Sequence, residues 1–181
     1  QNLPQILNII YRDKITHFIA VPTMLQLIDS LGDAAPDTFE NEHFKVIIST
    51  AGYLYPNLWK RFEDRFHVMI VNVYGLTETV CESLYCGPSE DTRKIGTIGK
   101  PVDCECRIVD EGGKEVPAGE TGEIWIKGEH IMNGYFEMPD ETAEVLNKDG
   151  WCKTGDLGKI DADGFYHIVG RKKNVIIVGG I

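Results

Sequence analysis

The sequence lacks a long apolar run, a surplus of positive charge and a paired-cysteine motif. No hydrophobic stretch reaches the roughly 18 residues of a membrane-spanning helix, and no signal peptide is visible. With 18 basic and 28 acidic side chains, the formal charge is −10. That balance disfavours a surface that binds nucleic acid or an anionic membrane. We therefore expect neither a transmembrane segment nor a nucleic-acid partner.

The cysteines argue against a structural metal site. There are five in 181 residues, an odd number, and no two have the CxxC spacing typical of a zinc site. Cys104 and Cys106 alternate on one predicted strand, where we expect partly buried free thiols. Unpaired cysteines of this kind are typical of a reducing compartment, so the cytoplasm is the predicted location.

The first ninety residues read as α/β structure. Apolar spacing and prolines predict helices that begin near Leu3, Pro22 and Pro56, and strands lie between them at 16–20, 45–50 and 68–71. A strand, a short helix and a strand in succession predict a βαβ unit with parallel strands. The segments 49–53 and 72–78 would then leave the sheet at the same end.

From about residue 95 the pattern changes to short strands separated by glycine- and aspartate-containing turns, which predicts antiparallel β structure. One helix interrupts it at about 139–146. The expected strands are 104–109, 122–127, 158–160 and 165–169.

Between these parts lies a candidate ligand loop, 71–79, fed by the apolar run 68–71. Tyr74 offers a flat ring, Gly75 allows close backbone approach, and Thr77 and Glu78 offer a hydroxyl and a carboxylate. A hydroxyl next to a carboxylate suits a phosphate oxygen and a hard cation such as Mg²⁺. A polar turn that caps the next element explains the same residues.

The run Asn72-x-Tyr74-Gly75-x-Thr77-Glu78 resembles the signature of the adenylate-forming superfamily, which contains acyl-CoA synthetases, peptide-synthetase adenylation domains and luciferases. Further stretches match in the expected order: Gly122–Gly128 with Asn133-Gly134-Tyr135, Gly150–Leu157 and Ile168–Asn174. The resemblance implies part of an AMP-binding domain: an α/β subdomain portion at 1–94, a mostly antiparallel, barrel-like subdomain at 95–169, and a hinge with the first strand of a further domain at 170–181.

The resemblance also assigns roles. Glu78 would hold Mg²⁺, Thr77 would bind a phosphate oxygen, Asp156 would accept hydrogen bonds from the ribose, and Arg171 would reach the nucleotide. Lys173 falls at the hinge position, whereas Lys172 is expected to be a solvated basic residue. The nucleotide-side residues are Ala51, Gly52, Tyr53, Asn72, Val73, Tyr74 (against the adenine), Gly75 and Ile168. The acyl pocket would be lined by Ser49, Ala51, Val73 and Cys81, which leave room for a sizeable apolar acid such as a fatty acid.

The implied activity is a two-step ligase reaction. ATP activates a carboxylic acid to an acyl-adenylate, and a thiol then takes the acyl group. The end of the sequence favours coenzyme A as the acceptor over the phosphopantetheine of a carrier protein, which a peptide-synthetase adenylation domain would load. A non-catalytic nucleotide-binding or interaction module is the alternative from another class. The family's phosphate loop and C-terminal lysine are not found here, so we expect a piece of a longer protein that is inactive alone.

Overall fold

The computed structural model describes residues 2–32, 38–39, 42–80 and 82–172. Within them the chain divides into two compact units. The first comprises the described residues of 2–72 and 87–96, and the second those of 73–86 and 97–172. The domain boundaries suggested by the resemblance stay a prediction.

The helices of the first unit begin at or next to a proline, which suits the first turn because its missing N–H is not needed there. They are α1 (Leu3–Arg12), α2 (Pro22–Ser30) and α3 (Pro56–Phe66), and all three confirm the predicted helices. Asn2 caps α1, since its side-chain oxygen accepts a hydrogen bond from Gln5 N at 3.4 Å. Each helix buries one apolar face, as the spacing of its hydrophobic residues predicts.

The strands of the first unit are parallel. They are β1 (His17–Ala20), β2 (Val46–Ser49) and the part of β3 (Met69–Gly75) up to Asn72, with β1 beside β2 and β2 beside β3. This pairing confirms the parallel βαβ unit. Ser49 lies directly opposite Asn72, so the chain leaves β2 at the edge of the sheet toward which β3 runs.

Two strands are several residues longer than the sequence indicates. The prediction of a loop from Val71 is wrong, because Val71 and Asn72 pair with β2 and the strand continues through Gly75. A 3₁₀ turn, Thr77–Thr79, follows. The strand predicted to begin at 158 begins at Cys152, so Asp156 lies in a strand and not in a loop.

The second unit is antiparallel, as predicted. β4 (Glu82–Cys86) pairs with β5 (Lys100–Pro101), and a separate sheet has the order β6-β7-β8-β9. Its strands are β6 (Glu105–Val109), β7 (Gly122–Lys127), β8 (Cys152–Ile160) and β9 (Tyr166–Arg171), with α4 (Pro139–Val145) between β7 and β8 in the chain. The barrel-like description is corrected: the strands β6-β7-β8-β9 form an open sheet, with β6 and β9 at its two edges.

The two faces of β7 carry different cores, because successive side chains of a strand point to opposite faces. Ile124 and Ile126 belong to a cluster with Leu84, Ile98, Ile108 and Tyr166, all buried. Trp125 instead packs with Val109 and Trp151. The guanidinium of Arg107 lies 3.8 Å from the centroid of the Trp151 ring and 5.2 Å from that of Trp125.

Gly99 permits a close backbone approach. Gly99 has φ +84°, and a Cβ there would lie 1.9 Å from the carbonyl oxygen of Tyr85. Only glycine fits this position without moving backbone.

The remaining sequence expectations concern thiols and membranes. Cys104 and Cys106 are free and partly buried, as predicted. In the part of the chain that the structure describes, no helix has the length and hydrophobicity needed to cross a bilayer.

Candidate active site

Asp156 in β8 is a buried carboxylate, 4% exposed, whose two oxygens accept hydrogen bonds from distant parts of the chain. Tyr74 Oη donates to Oδ2 at 2.5 Å, and Arg171 Nε donates to Oδ1 at 2.5 Å. The pairing of β8 with β9 explains the second contact, because it places Arg171 directly opposite Asp156. An ionised carboxylate has about four acceptor positions, so two bonds leave capacity for the hydroxyls of a ligand.

Tyr74 is in the form that donates. Burial, reinforced by the neighbouring Asp156 carboxylate, raises the pKa of Tyr74 well above its ordinary value. Its side chain packs against the cluster on the inner face of β7, and so does that of Ile168. The phenol therefore anchors Asp156 from the apolar core of the second unit.

Glu123 supports the same strands from the other face. Its Oε1 accepts a hydrogen bond from Gly155 N at 3.0 Å, and its Oε2 accepts one from Lys172 Nζ at 2.8 Å and one from Trp125 Nε1 at 2.9 Å. Burial raises the pKa of the Glu123 carboxyl, but these donors outweigh it and the net shift is downward. Glu123 therefore holds the backbone of Gly155, next to Asp156, and the side chain of Lys172, next to Arg171. Lys172 is exposed, as expected for a solvated basic residue, but it also pairs with Glu123, which the expectation did not include.

Glu78 lies in the 3₁₀ turn that follows β3. Thr79, which is buried, closes the turn: its Oγ1 accepts from Leu76 N at 2.9 Å and donates to Leu76 O at 3.0 Å. Tyr135 Oη donates to Glu78 Oε1, and this bond, with burial, raises the pKa of Tyr135 to about 12. Thr77 is exposed. The turn thus carries a hydroxyl and a carboxylate on consecutive residues.

The residues present fit a magnesium ion that is held mainly by a substrate. Among the described residues, no group of three or more His, Cys, Asp or Glu side chains could hold a metal by itself. Mg²⁺ commonly takes one or two carboxylates and completes its shell with water and substrate phosphates. Glu78 can supply one such oxygen, Oε2, since Tyr135 engages only Oε1.

Five predicted nucleotide or pocket residues belong to the first unit. Ser49 is fully buried and, among the described residues, its Oγ has no hydrogen-bond partner. It neighbours Asn72, which is 5% exposed. Ala51 has φ +59° in a tight turn, and Gly52 and the half-exposed Tyr53 follow it.

The second unit contains the buried Val73 and the partly buried Gly75. Cys81 and Lys173 lie outside the described residues. Among the predicted site residues that the structure describes, Tyr74, Asp156 and Arg171 are linked by direct hydrogen bonds.

Sequence reasoning assigned no site role to Tyr135 or Glu123. Both lie in matched motifs, at Asn133-Gly134-Tyr135 and Gly122–Gly128, and that match is the only signal the sequence offers. Tyr135 lies 57 residues from Glu78 in the chain, and Glu123 lies 49 residues from Lys172, so no local spacing connects either pair.

The sequence matches known proteins along most of its length. The profile of the family described as AMP-binding enzyme matches residues 1–136. The sulfoacetate–CoA ligase of Cupriavidus necator is 41% identical over 132 residues, covering 73% of this chain and 26% of that protein. The indoleacetate–CoA ligase of Aromatoleum aromaticum is 35% identical over 174 residues, covering 94% and 33%. The ATP-bound structure of MatB from Rhodopseudomonas palustris superposes with a TM-score of 0.84 at 31% identity, covering 100% of this chain and 35% of that one.

These matches define the class as the adenylate-forming enzymes and confirm the resemblance drawn from the motifs. The chain belongs to the AMP-binding enzyme family. It spans a quarter to a third of the length of the two ligases.

Proposed function

We propose that the complete protein containing this chain activates a carboxylic acid with ATP and transfers the acyl group to a thiol. The observation that carries the proposal is the buried Asp156 carboxylate, held by Tyr74 and Arg171 and able to accept further hydrogen bonds. A vicinal diol such as that of ribose supplies two donors to such an acceptor. The matched CoA ligases support the same reaction class.

In the first step, a carboxylate oxygen of the acid attacks the α-phosphorus of ATP and pyrophosphate leaves. In the second, the thiol sulfur attacks the acyl carbon and AMP leaves. This chain contributes positioning and charge, which dominate catalysis of phosphoryl and adenylyl transfer. Asp156 and Arg171 would orient the ribose, Tyr74 would lie against the adenine, and Thr77 would bind a phosphate oxygen. Mg²⁺ held at Glu78 would neutralise phosphate charge.

The remaining nucleotide-side residues are proposed, from the resemblance, to lie along the nucleotide: Ala51, Gly52, Tyr53, Asn72, Val73, Gly75 and Ile168. The acyl pocket of Ser49, Ala51, Val73 and Cys81 is proposed to admit a sizeable apolar acid. The named relatives act on acids as different as sulfoacetate and indoleacetate, so the identity of the acid has to come from experiment.

We propose coenzyme A as the acceptor, because both named curated relatives are CoA ligases. Loading of a carrier-protein phosphopantetheine is the second candidate. The hinge role of Lys173, the cytoplasmic location and the inactivity of the 181-residue chain alone stay predictions.

The test is ATP–pyrophosphate exchange by the complete protein with a panel of fatty, aromatic and amino acids. We expect exchange that depends on one class of acid and on Mg²⁺, followed by thioester formation with coenzyme A. Glu78→Gln is expected to reduce exchange by orders of magnitude, while Glu120→Gln, at an exposed position of the same unit, serves as the matched control. ATP binding without exchange on any acid would favour the non-catalytic module instead.

A further inference from the structure

The segment 132–135 contacts Glu78 twice. The hydroxyl of Tyr135 donates a hydrogen bond to Glu78 Oε1, and the backbone N–H of Met132 donates to the carbonyl oxygen of Glu78 at 2.9 Å. One contact fixes the side chain and the other fixes the backbone of the same residue. Two bonds from one short segment define the orientation of a carboxylate better than either bond alone.

The segment is itself anchored to α4. Tyr135 N donates to Thr142 Oγ1 at 2.9 Å, and that hydroxyl donates to Met138 O at 2.7 Å. Gly134 has φ +146°, and a Cβ there would lie 2.8 Å from Thr142 Cγ2, so the chain passes close to the helix. Ile131 packs against the core cluster. Tyr135 therefore reaches Glu78 from a supported position.

A fixed carboxylate binds Mg²⁺ more tightly than a free one. Immobilising a glutamate side chain costs rotamer entropy, and a carboxylate that is already held does not incur that cost when the ion binds. Mg²⁺ also requires near-ideal octahedral geometry, which rewards a ligand with a set direction. Partners that orient metal ligands typically change metal affinity by about 10- to 100-fold.

We propose that Tyr135 is a positioning residue that orients Glu78 and thereby sets how strongly Mg²⁺ and ATP bind together. The proposal rests on the proposed function, in which Glu78 holds the ion. In this role Tyr135 acts through Glu78, with which its hydroxyl makes a hydrogen bond.

The experiment measures binding instead of turnover. The dissociation constant of ATP is determined for the complete protein by calorimetry, once with Mg²⁺ and once with EDTA. The constant in EDTA divided by the constant with Mg²⁺ is the ratio that reports the contribution of the ion. Tyr135→Phe removes one oxygen atom. We expect it to lower this ratio by about 10- to 100-fold and to leave the constant in EDTA unchanged. Tyr11→Phe, at a tyrosine that is 60% exposed in the first unit, is the matched control.

Two further variants separate the possible failures. Glu78→Gln should reduce the ratio at least as far as Tyr135→Phe. A wild-type ratio in Tyr135→Phe with a reduced ratio in Glu78→Gln overturns the role of Tyr135 and leaves the proposed function intact. A wild-type ratio in Glu78→Gln overturns the metal assignment itself. Thr142→Val, which removes the bond to the backbone of Tyr135, is expected to lower the ratio as well, and it decides the question if Tyr135→Phe does not fold.

Discussion

The hydroxyl of Tyr74 can be removed without removing its ring, which separates two roles of this side chain. Tyr74→Phe deletes the 2.5 Å hydrogen bond to Asp156 and leaves Arg171 as the partner of the other oxygen. A hydrogen bond to a charged group contributes about 1.5–3 kcal/mol to stability. For a chain of this size each kcal/mol shifts the melting temperature by about 2–4 °C. We therefore expect the melting temperature of the 181-residue chain to fall by roughly 3–12 °C.

Binding of ATP should respond differently. The phenylalanine keeps the flat ring, so its effect on ATP affinity should be small compared with that of Tyr74→Ala, which also removes the proposed stack. A base–aromatic stack contributes about 1–3 kcal/mol, which corresponds to a loss of about 5- to 150-fold in affinity. The measurements are thermal unfolding of the chain and ATP binding to the complete protein, with Tyr11→Phe as control. An unchanged melting temperature in Tyr74→Phe, or equal ATP affinity in the two Tyr74 variants, would refute this reasoning.

Three further predictions concern the framework of the second unit. Glu123→Gln should lower the free energy of unfolding by about 1–3 kcal/mol at pH 7. Because the folded-state pKa of Glu123 lies below the ordinary 4.5, its carboxylate stabilises the wild type above that pH and this stabilisation is lost as the pH falls through the folded-state pKa. Urea unfolding between pH 3 and 7 should show a weaker pH dependence in the variant, and parallel curves would contradict the assignment. Gly99→Ala should cost about 3 kcal/mol or more, because its Cβ would overlap the backbone of Tyr85. If Gly99→Ala is soluble and unfolds in urea like the wild type, the backbones of Gly99 and Tyr85 are less tightly packed than described. Arg107→Met keeps the apolar stem but loses the contact with the two tryptophans, and chemical unfolding should reveal a loss of about 0.5–2 kcal/mol. If Arg107→Met is as stable as the wild type, the contact of the guanidinium with the tryptophans contributes no net stabilisation.

Much of the secondary structure follows from local signals. The helices α1, α2 and α3 each combine a proline in the first turn with an apolar face, so their prediction needs no knowledge of distant residues. The parallel arrangement of β2 and β3 follows from the length of the connection. The turns that separate β6 to β9 are likewise marked by glycine and aspartate.

The strands that the sequence misses depend on partners. β4 (Glu82–Cys86) begins with two polar residues and β5 (Lys100–Pro101) has only two residues, so neither shows a clear apolar run. β3 and β8 extend into polar residues, Asn72 and Asp156, that locally favour turns. Pairing with neighbouring strands overrides that preference. Local rules are expected to fail most often where residues serve a site as well as a fold.

The sequence predicts which residues belong to the candidate site, but not the contacts between them. The motifs point to Tyr74, Glu78, Asp156 and Arg171, but residue spacing cannot show that Tyr74 donates to Asp156 across 82 positions. Nor can it show that Tyr135 reaches Glu78. Such bonds depend on how β3 and the segment 132–135 are placed by packing, which a single sequence leaves open.

The two acidic side chains of the site differ in a way that fits their proposed partners. Each has one oxygen engaged by a tyrosine hydroxyl, a neutral donor that fixes direction without removing charge. Asp156 is also paired with Arg171, whereas no basic side chain among the described residues pairs with Glu78. A carboxylate that is already paired with a basic side chain suits a neutral diol, and a carboxylate without such a partner suits a cation. The proposed assignments of ribose to Asp156 and Mg²⁺ to Glu78 follow this division, so exchanging the two environments should weaken both interactions.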